Sequence, residues 1–275
     1  MSKVAVLTPL LISLPKWWQT LKTSWSKFMA YRLNFFLQII GPALIFFFIK
    51  YNLWSSIYNG DEELVLKGYN FQEMINYHVW TLLVSLLGQG YSANNLSEDI
   101  RMGRISSYLI YPFNFWEFHT ASFLAFQILQ TLVAIFTLLF VGVSGIVTFP
   151  TVGSILAGFL TCYFLSFFWF ILQFLTGILG FWLEETWILR VTLQMITVFL
   201  SGAIIPLELY PEAFVKVLDY TPFPYLTYYP VKIFMGELQH IPQALATVLV
   251  WGFIVTGINV WAWRKGIRLY TAAGM

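Results

Sequence analysis

Residues 118–183 form an unbroken run of 66 positions without an Asp, Glu, Lys or Arg. Nothing else constrains the fold of this chain as strongly. A helix of about 20 apolar residues crosses about 30 Å of hydrocarbon, so the run holds two crossings. The break between them falls at GVSGIVTFPTVGS, where Gly145, Pro150 and Gly153 interrupt helix formation. Four more uncharged runs, 33–49, 74–97, 191–207 and 238–263, are each long enough for one crossing. The chain therefore reads as an all-α polytopic membrane protein, a single membrane domain over residues 1–275. Its six transmembrane helices are expected at about 33–53, 72–94, 118–146, 153–182, 187–206 and 242–263. Composition agrees: the chain is 59% hydrophobic and 10% charged, against about 45–50% and about 25% in soluble domains.

Six crossings put both termini on one side. The segments on that side hold eleven lysines and arginines against five acids, and the opposite segments four against eight. The positive-inside rule makes both termini cytoplasmic. The charged stretch PKWWQTLKTSWSKF precedes the first long apolar run, so no cleavable leader is expected and the first span is retained. Cys162 is the single cysteine, which excludes an intrachain disulfide and a cysteine-based zinc site and leaves it a packing role. A net charge of +2 points to no nucleic-acid partner.

Three segments outside the spans stand out. EDIRMGRISSYLIYP, residues 98–112, joins spans two and three on the cytoplasmic side. Glu98, Asp99, Arg101 and Arg104 lie within two helical turns, and Ile100, Ile105, Tyr108 and Leu109 supply apolar positions near helical spacing before Pro112. A solvated turn obeying the topology rule is one reading. The pattern favours the other, a short helix that docks on another protein while lying along the bilayer. Residues 15–31 place Trp18, Leu21, Trp25 and Phe28 largely opposite Lys16, Thr20, Thr23 and Lys27, the signature of an interfacial amphipathic helix. A simple anchor accounts for that helix as well as a coupling role does. Residues 206–241, with prolines at 206, 211, 222, 224 and 230, are too broken to cross and too apolar for a solvated loop. They are expected to form a re-entrant external hairpin.

The phosphate-cradling GxxxxGK[ST] loop does not occur in the sequence, so any ATP dependence must come from a partner. His78, His119 and His240 lack metal-ligand spacing and no GxSxG elbow is present; no metal site and no enzyme are expected. Polar residues within spans are Asn76, His78, Gln89, Gln127, Gln130, Gln173 and Gln194. Each either bonds another helix or faces a pathway. Arg190 is expected to form an ion pair near Glu184 and Glu185.

An amphipathic helix before span one, then DIRMGRISSYLIYP, SGAIIPLELYP, YYPVKIFMGEL and WRKGIRLYTAAG in this order cover nearly the whole chain. In order and spacing they resemble the ABC type-2 permeases, the six-span membrane subunits of ATP-binding-cassette exporters, and especially their compact bacterial branch. The resemblance implies a permease subunit that forms half of a translocation pathway with a second copy or sister permease. It implies a separate nucleotide-binding ATPase that holds ATP and Mg, none being bound by this chain, and a place in the bacterial inner membrane. It makes the segment after span two the coupling helix, with Glu98, Asp99, Arg101, Gly103 and Arg104 meeting the ATPase. With two copies facing each other, Asn76, Gln89 and Gln194 become the candidates to line the pathway. A non-transporting membrane scaffold or assembly subunit is the alternative. A secondary transporter is less well matched, because mid-membrane acids and an internal repeat are absent from the sequence.

Overall fold

The computed structural model describes residues 4–30, 32–61, 63–91, 94–110, 115–145 and 147–270. Tyr31, Pro112 and the end of WRKGIRLYTAAG, on which parts of the sequence reading fall, lie outside them. The described residues are all-α, with one isolated bridge between Leu66 and Tyr69 and no strand.

Six helices cover the charge-poor runs: α2 (Arg32–Tyr58), α3 (Phe71–Gln89), α6 (Phe115–Ser144), α7 (Val152–Ile178), α8 (Trp187–Leu200) and α12 (Ile241–Leu269). Among the described residues three helical stretches are long and apolar enough to cross a bilayer: Phe115–Val143, Val152–Phe181 and Leu238–Leu269. Before them α1 (Val4–Ala30) begins well ahead of the expected 15–31. Its Phe28 meets Phe126 edge-on at 5.5 Å and Ser24 bonds Ser122 at 3.2 Å, both on α6, whereas Trp18 stands exposed. Residues 94–110 form two short helices, α4 (Asn94–Arg101) and α5 (Ile105–Ile110). The segment between α8 and α12 carries α9 (Glu212–Leu218), α10 (Phe223–Leu226) and α11 (Tyr228–Phe234).

Local chemistry sets several of these boundaries. Asn70 caps α3 in a reciprocal box: its side chain accepts from Glu73 N at 2.9 Å, and the Glu73 carboxylate accepts from Asn70 N at 2.9 Å. Thr151 caps α7 by accepting from Ser154 N at 3.2 Å. The fifth expected span runs to 206, but α8 has 14 residues and stops at Leu200. Gly202 has φ +80°, a left-handed conformation that ends a helix, and Pro206 prevents its resumption.

Helix α7 is the centre of the packing, touching α3, α4, α11 and α12. One apolar core gathers α2, α3 and α11 around Trp54, Tyr77, Trp80 and Phe234, with Trp80 and Phe234 stacked at 5.3 Å. A second joins α4, α6, α7 and α12 through Leu96, Ile100, Phe115, Phe174 and Ala262. A third packs Trp169 of α7 on Tyr225, Leu226 and Val248. At about 25 cal/mol per Å² such cores are the main favourable term wherever water is the alternative. Between helices in lipid, close packing replaces it.

Candidate functional site

Two polar clusters lie in this apolar frame. The first is the α4–α5 elbow, where a single short helix was expected and Gly103, at φ +72°, divides it into two. That backbone conformation costs any residue with a Cβ about 1–2 kcal/mol. The freed Gly103 carbonyl accepts from Ser106 N at 3.2 Å, Ser106 Oγ at 2.6 Å and the Tyr270 hydroxyl at 2.6 Å. The elbow is thereby tied to the end of α12. Its apolar side is seated: Leu96, Ile100 and Ile105 are buried. Helix α4 comes so close to α7 that a Cβ on Gly177 would lie 2.2 Å from Leu96 Cδ2.

The charges that prompted the docking expectation are paired within the chain. Arg101 Nη1 donates to Glu185 Oε1 at 2.9 Å and to the Glu184 carbonyl at 2.6 Å. Glu185, expected beside Arg190, thus reaches across to the elbow. Arg104 holds Glu98 Oε1 at 2.8 Å and Asp99 Oδ1 at 3.0 Å. Asp99 differs from the others because its side chain is only 11% exposed. Burial raises its pKa, against the pull of Arg104 and the Tyr108 hydroxyl, which donates to Oδ2 at 3.4 Å. His119, buried among Phe115, Phe118 and Phe174, stands 3.9 Å from the same oxygen. Glu98, Arg101, Arg104 and Glu185 keep a large part of their side chains exposed, and Met102 between them is exposed as well. A shallow cavity of about 150 Å³ opens beside them, lined by Ile100, Arg101, Phe181 and Tyr270. The result is a charged surface on a fixed apolar base.

The three expected pathway residues separate. Asn76 is buried and donates to Thr148 Oγ1 at 2.7 Å, while accepting from Gln72 at 3.3 Å. Gln89 donates to the Leu226 carbonyl at 3.1 Å and to Thr227 Oγ1 at 2.8 Å. Gln194 is exposed on α8, a helix whose one buried side chain is Thr197. Elsewhere Gln127 donates to the Leu87 carbonyl at 2.8 Å, bonding helix to helix.

The second cluster lies in the segment after α8, here called the hairpin. A helix ends with carbonyls that lack intrahelical donors, and here the chain continues through further irregular backbone. The Tyr77 hydroxyl donates to Gly202 O at 2.7 Å, Lys50 Nζ to Ile204 O, and Tyr228 N to Ser201 O at 2.9 Å. Farther along, Glu208 Oε1 accepts from Tyr228 at 2.7 Å, Tyr69 at 3.0 Å and Lys232 at 3.1 Å. Lys232 also bonds Glu237 at 2.8 Å, and Glu237 bonds His240 at 3.1 Å. Burial pulls the Lys232 pKa down, but the two carboxylates outweigh it and leave it raised. Burial likewise pushes Glu237 up, and Lys232 and His240 hold it below the usual carboxylate value. Sequence reasoning missed Tyr69, Glu208 and Lys232. The available signal was two isolated opposite charges, one in SGAIIPLELYP and one in YYPVKIFMGEL.

Apolar helices of spanning length among the described residues, and irregular backbone whose carbonyls at 201–204 are bonded by Tyr77, Lys50 and Tyr228, mark a multi-pass membrane protein. Residues 32–274 match the family model described as ABC-2 family transporter protein, and the chain belongs to that family. It is a membrane permease of an ABC transporter. No curated protein matches the chain.

Proposed function

We propose that this chain is one half of the translocation unit of a bacterial ABC exporter, in the inner membrane with both termini cytoplasmic. It works with a second copy or a sister permease. It is not itself an enzyme: a separate ATPase binds ATP and Mg and hydrolyses the nucleotide. The α4–α5 elbow is the coupling element, with Glu98, Asp99, Arg101, Gly103 and Arg104 as its working residues. The observation that carries this reading is the division of labour at the elbow. Asp99, Gly103 and the apolar side chains fix its shape, while Glu98, Arg101 and Arg104 keep charged surface available. A surface that is rigid and charged suits transmission of a partner's movement, since a flexible one would absorb it.

In the assembled transporter α8 faces the second permease, and Gln194 on that face lines the path. Asn76 and Gln89 contribute to the path by positioning the hairpin and the turn before α7. The hairpin forms the external side. The test is co-expression with a candidate ATP-binding-cassette ATPase from the same organism and purification through a tag on the permease. The ATPase should be retained with the wild type and lost when Arg101 and Arg104 are both reversed in charge. Retention in that variant would remove the assignment of the elbow.

A further inference from the structure

Helix α12 has a two-sided surface. Ala244, Val248, Val255, Asn259, Ala262 and Gly266 are buried on one side. Phe253, Ile254, Ile258 and Trp261 are exposed on the other, and at about 100° per residue Arg264, Lys265 and Arg268, all exposed, continue the same stripe. The stripe is therefore apolar along the span and cationic over its last turns. Among the three described stretches long and apolar enough to cross a bilayer, only Leu238–Leu269 ends on a group of cations.

The bases of the elbow and the hairpin are matched by carboxylates of the chain: Arg101 by Glu185, Arg104 by Glu98 and Asp99, Lys232 by Glu208 and Glu237. Arg264, Lys265 and Arg268 have no such partner among the described residues, and α12 itself contains no Asp or Glu. The helix dipole favours a cation only within the last turn, which accounts for Arg268 alone. Lys265 turns back along the helix. Its ammonium lies 4.5 Å from the centre of the Trp261 ring, one turn nearer the apolar part of the stripe. The charge is thereby held at the boundary between apolar and polar surface, the level at which lipid headgroups lie.

A second copy of the chain is a poor cover for this stripe. In a two-fold pair, residues near the axis meet their own equivalents, so the bases of both copies would gather with no acid on either α12 to offset them. A lipid with a negative headgroup matches both parts, since the apolar stripe accepts its chains and the bases accept its phosphate.

We infer that the C-terminal end of α12 is a binding site for an anionic phospholipid, whose acyl chains run along Phe253, Ile254 and Ile258 and whose phosphate is held by Arg264, Lys265 and Arg268 beside Trp261. The inference goes beyond the permease reading and takes from it only the assignment of this end to the cytoplasmic leaflet.

The site is tested on the purified full chain in detergent, by native mass spectrometry with an equimolar mixture of dioleoyl phosphatidylglycerol and dioleoyl phosphatidylcholine. The chains are identical, so any preference reports the headgroup. The wild type should retain phosphatidylglycerol with a preference of at least about tenfold, because each base near an anionic headgroup contributes about fivefold. Arg264→Gln/Lys265→Gln/Arg268→Gln should bring the two lipids to within about twofold of each other. Lys22→Gln/Lys67→Gln/Lys216→Gln removes the same charge from exposed positions spread over the chain and should leave the preference unchanged. If the triple α12 variant is poorly inserted, Lys265→Gln alone replaces it and should lower the preference by at least about threefold, with Lys265→Arg restoring it. A wild type without preference, an α12 variant that keeps it, or an equal loss in the dispersed variant each overturns the site. Dimers that disappear in the α12 variant, with no lipid preference in the wild type, would place a second copy on the stripe and overturn it as well. No ATPase takes part, so a failure of the permease reading, seen as absent ATPase binding, stays distinct from a failure of this one.

Discussion

Reversing Arg101 alone separates what the elbow does for its own chain from what it does for a partner. Arg101 and Glu185 are 40% and 58% exposed at their side chains, so their ion pair is screened by water and contributes at most about 1 kcal/mol. Arg101→Glu removes that pair, loses the bond to the Glu184 carbonyl and faces Glu185 with a like charge. The expected loss of stability is about 1 kcal/mol, a thermal shift of a few degrees. Losing one partner of a charge pair at a protein interface costs about 2 kcal/mol or more, at least about thirtyfold in affinity. Binding of the ATPase to the purified permease should therefore weaken far more than stability does. The double variant R101E/E185R restores the internal pair with its signs exchanged. Its melting temperature should return toward wild type while its ATPase affinity stays low. Glu185→Gln, which removes the internal pair and leaves Arg101 free to dock, should keep affinity within about threefold of wild type. Full recovery of ATPase binding in R101E/E185R would refute the reasoning, because Arg101 would then matter only to the elbow itself.

Two further outcomes are expected. Gly177→Ala places a Cβ 2.2 Å from Leu96 Cδ2 and should cost about 1–3 kcal/mol by overpacking, lowering both the melting temperature and ATPase binding; a variant unchanged in both would mean that α4 is not seated there. Gln89→Leu removes the donors to the Leu226 carbonyl and the Thr227 hydroxyl, and should cost about 1–3 kcal/mol of thermal stability and speed hydrogen exchange over residues 223–234; transport lost at wild-type stability would show instead that Gln89 acts by touching substrate.

The helices were legible because charge-free runs of spanning length have few other stable forms. The elbow was legible as a charged, near-helical stretch, but its division was not, since Gly103 in RMGR is equally compatible with a weakened continuous helix. The partners of its charges were hidden for a different reason. Glu185 is 84 residues from Arg101, and the nearby Arg190 offered a local pairing that periodicity could not reject. Asn76 and Gln89 were expected to face a pathway because polar groups in lipid need partners. That need is met by Thr148 and by the hairpin, segments whose proximity depends on how the connections fold back. Among the three, Gln194 alone stands exposed, because α8 ends early and is little covered by its own chain.

The position of Gln89 bears on how the two clusters would communicate under the proposed reading. It is the last residue of α3, a few residues before α4 begins, and it holds the hairpin at the joint between α10 and α11. At the same place the Trp169 indole of α7 donates to the Tyr91 carbonyl at 2.9 Å, and a Cβ on Gly90 would lie 1.9 Å from Gln130 Nε2 of α6. Residues 89–91 are thus gripped by α6, α7 and the hairpin together. Thr227, at φ −138° and ψ −59°, breaks the helix at that joint. Movement of α4 would then reach the hairpin through Gln89 and would be felt at the far end of α11, where Lys232 and Glu208 meet Tyr69. This contiguity explains why Gln89→Leu should loosen the hairpin without disturbing the elbow's own ion pairs.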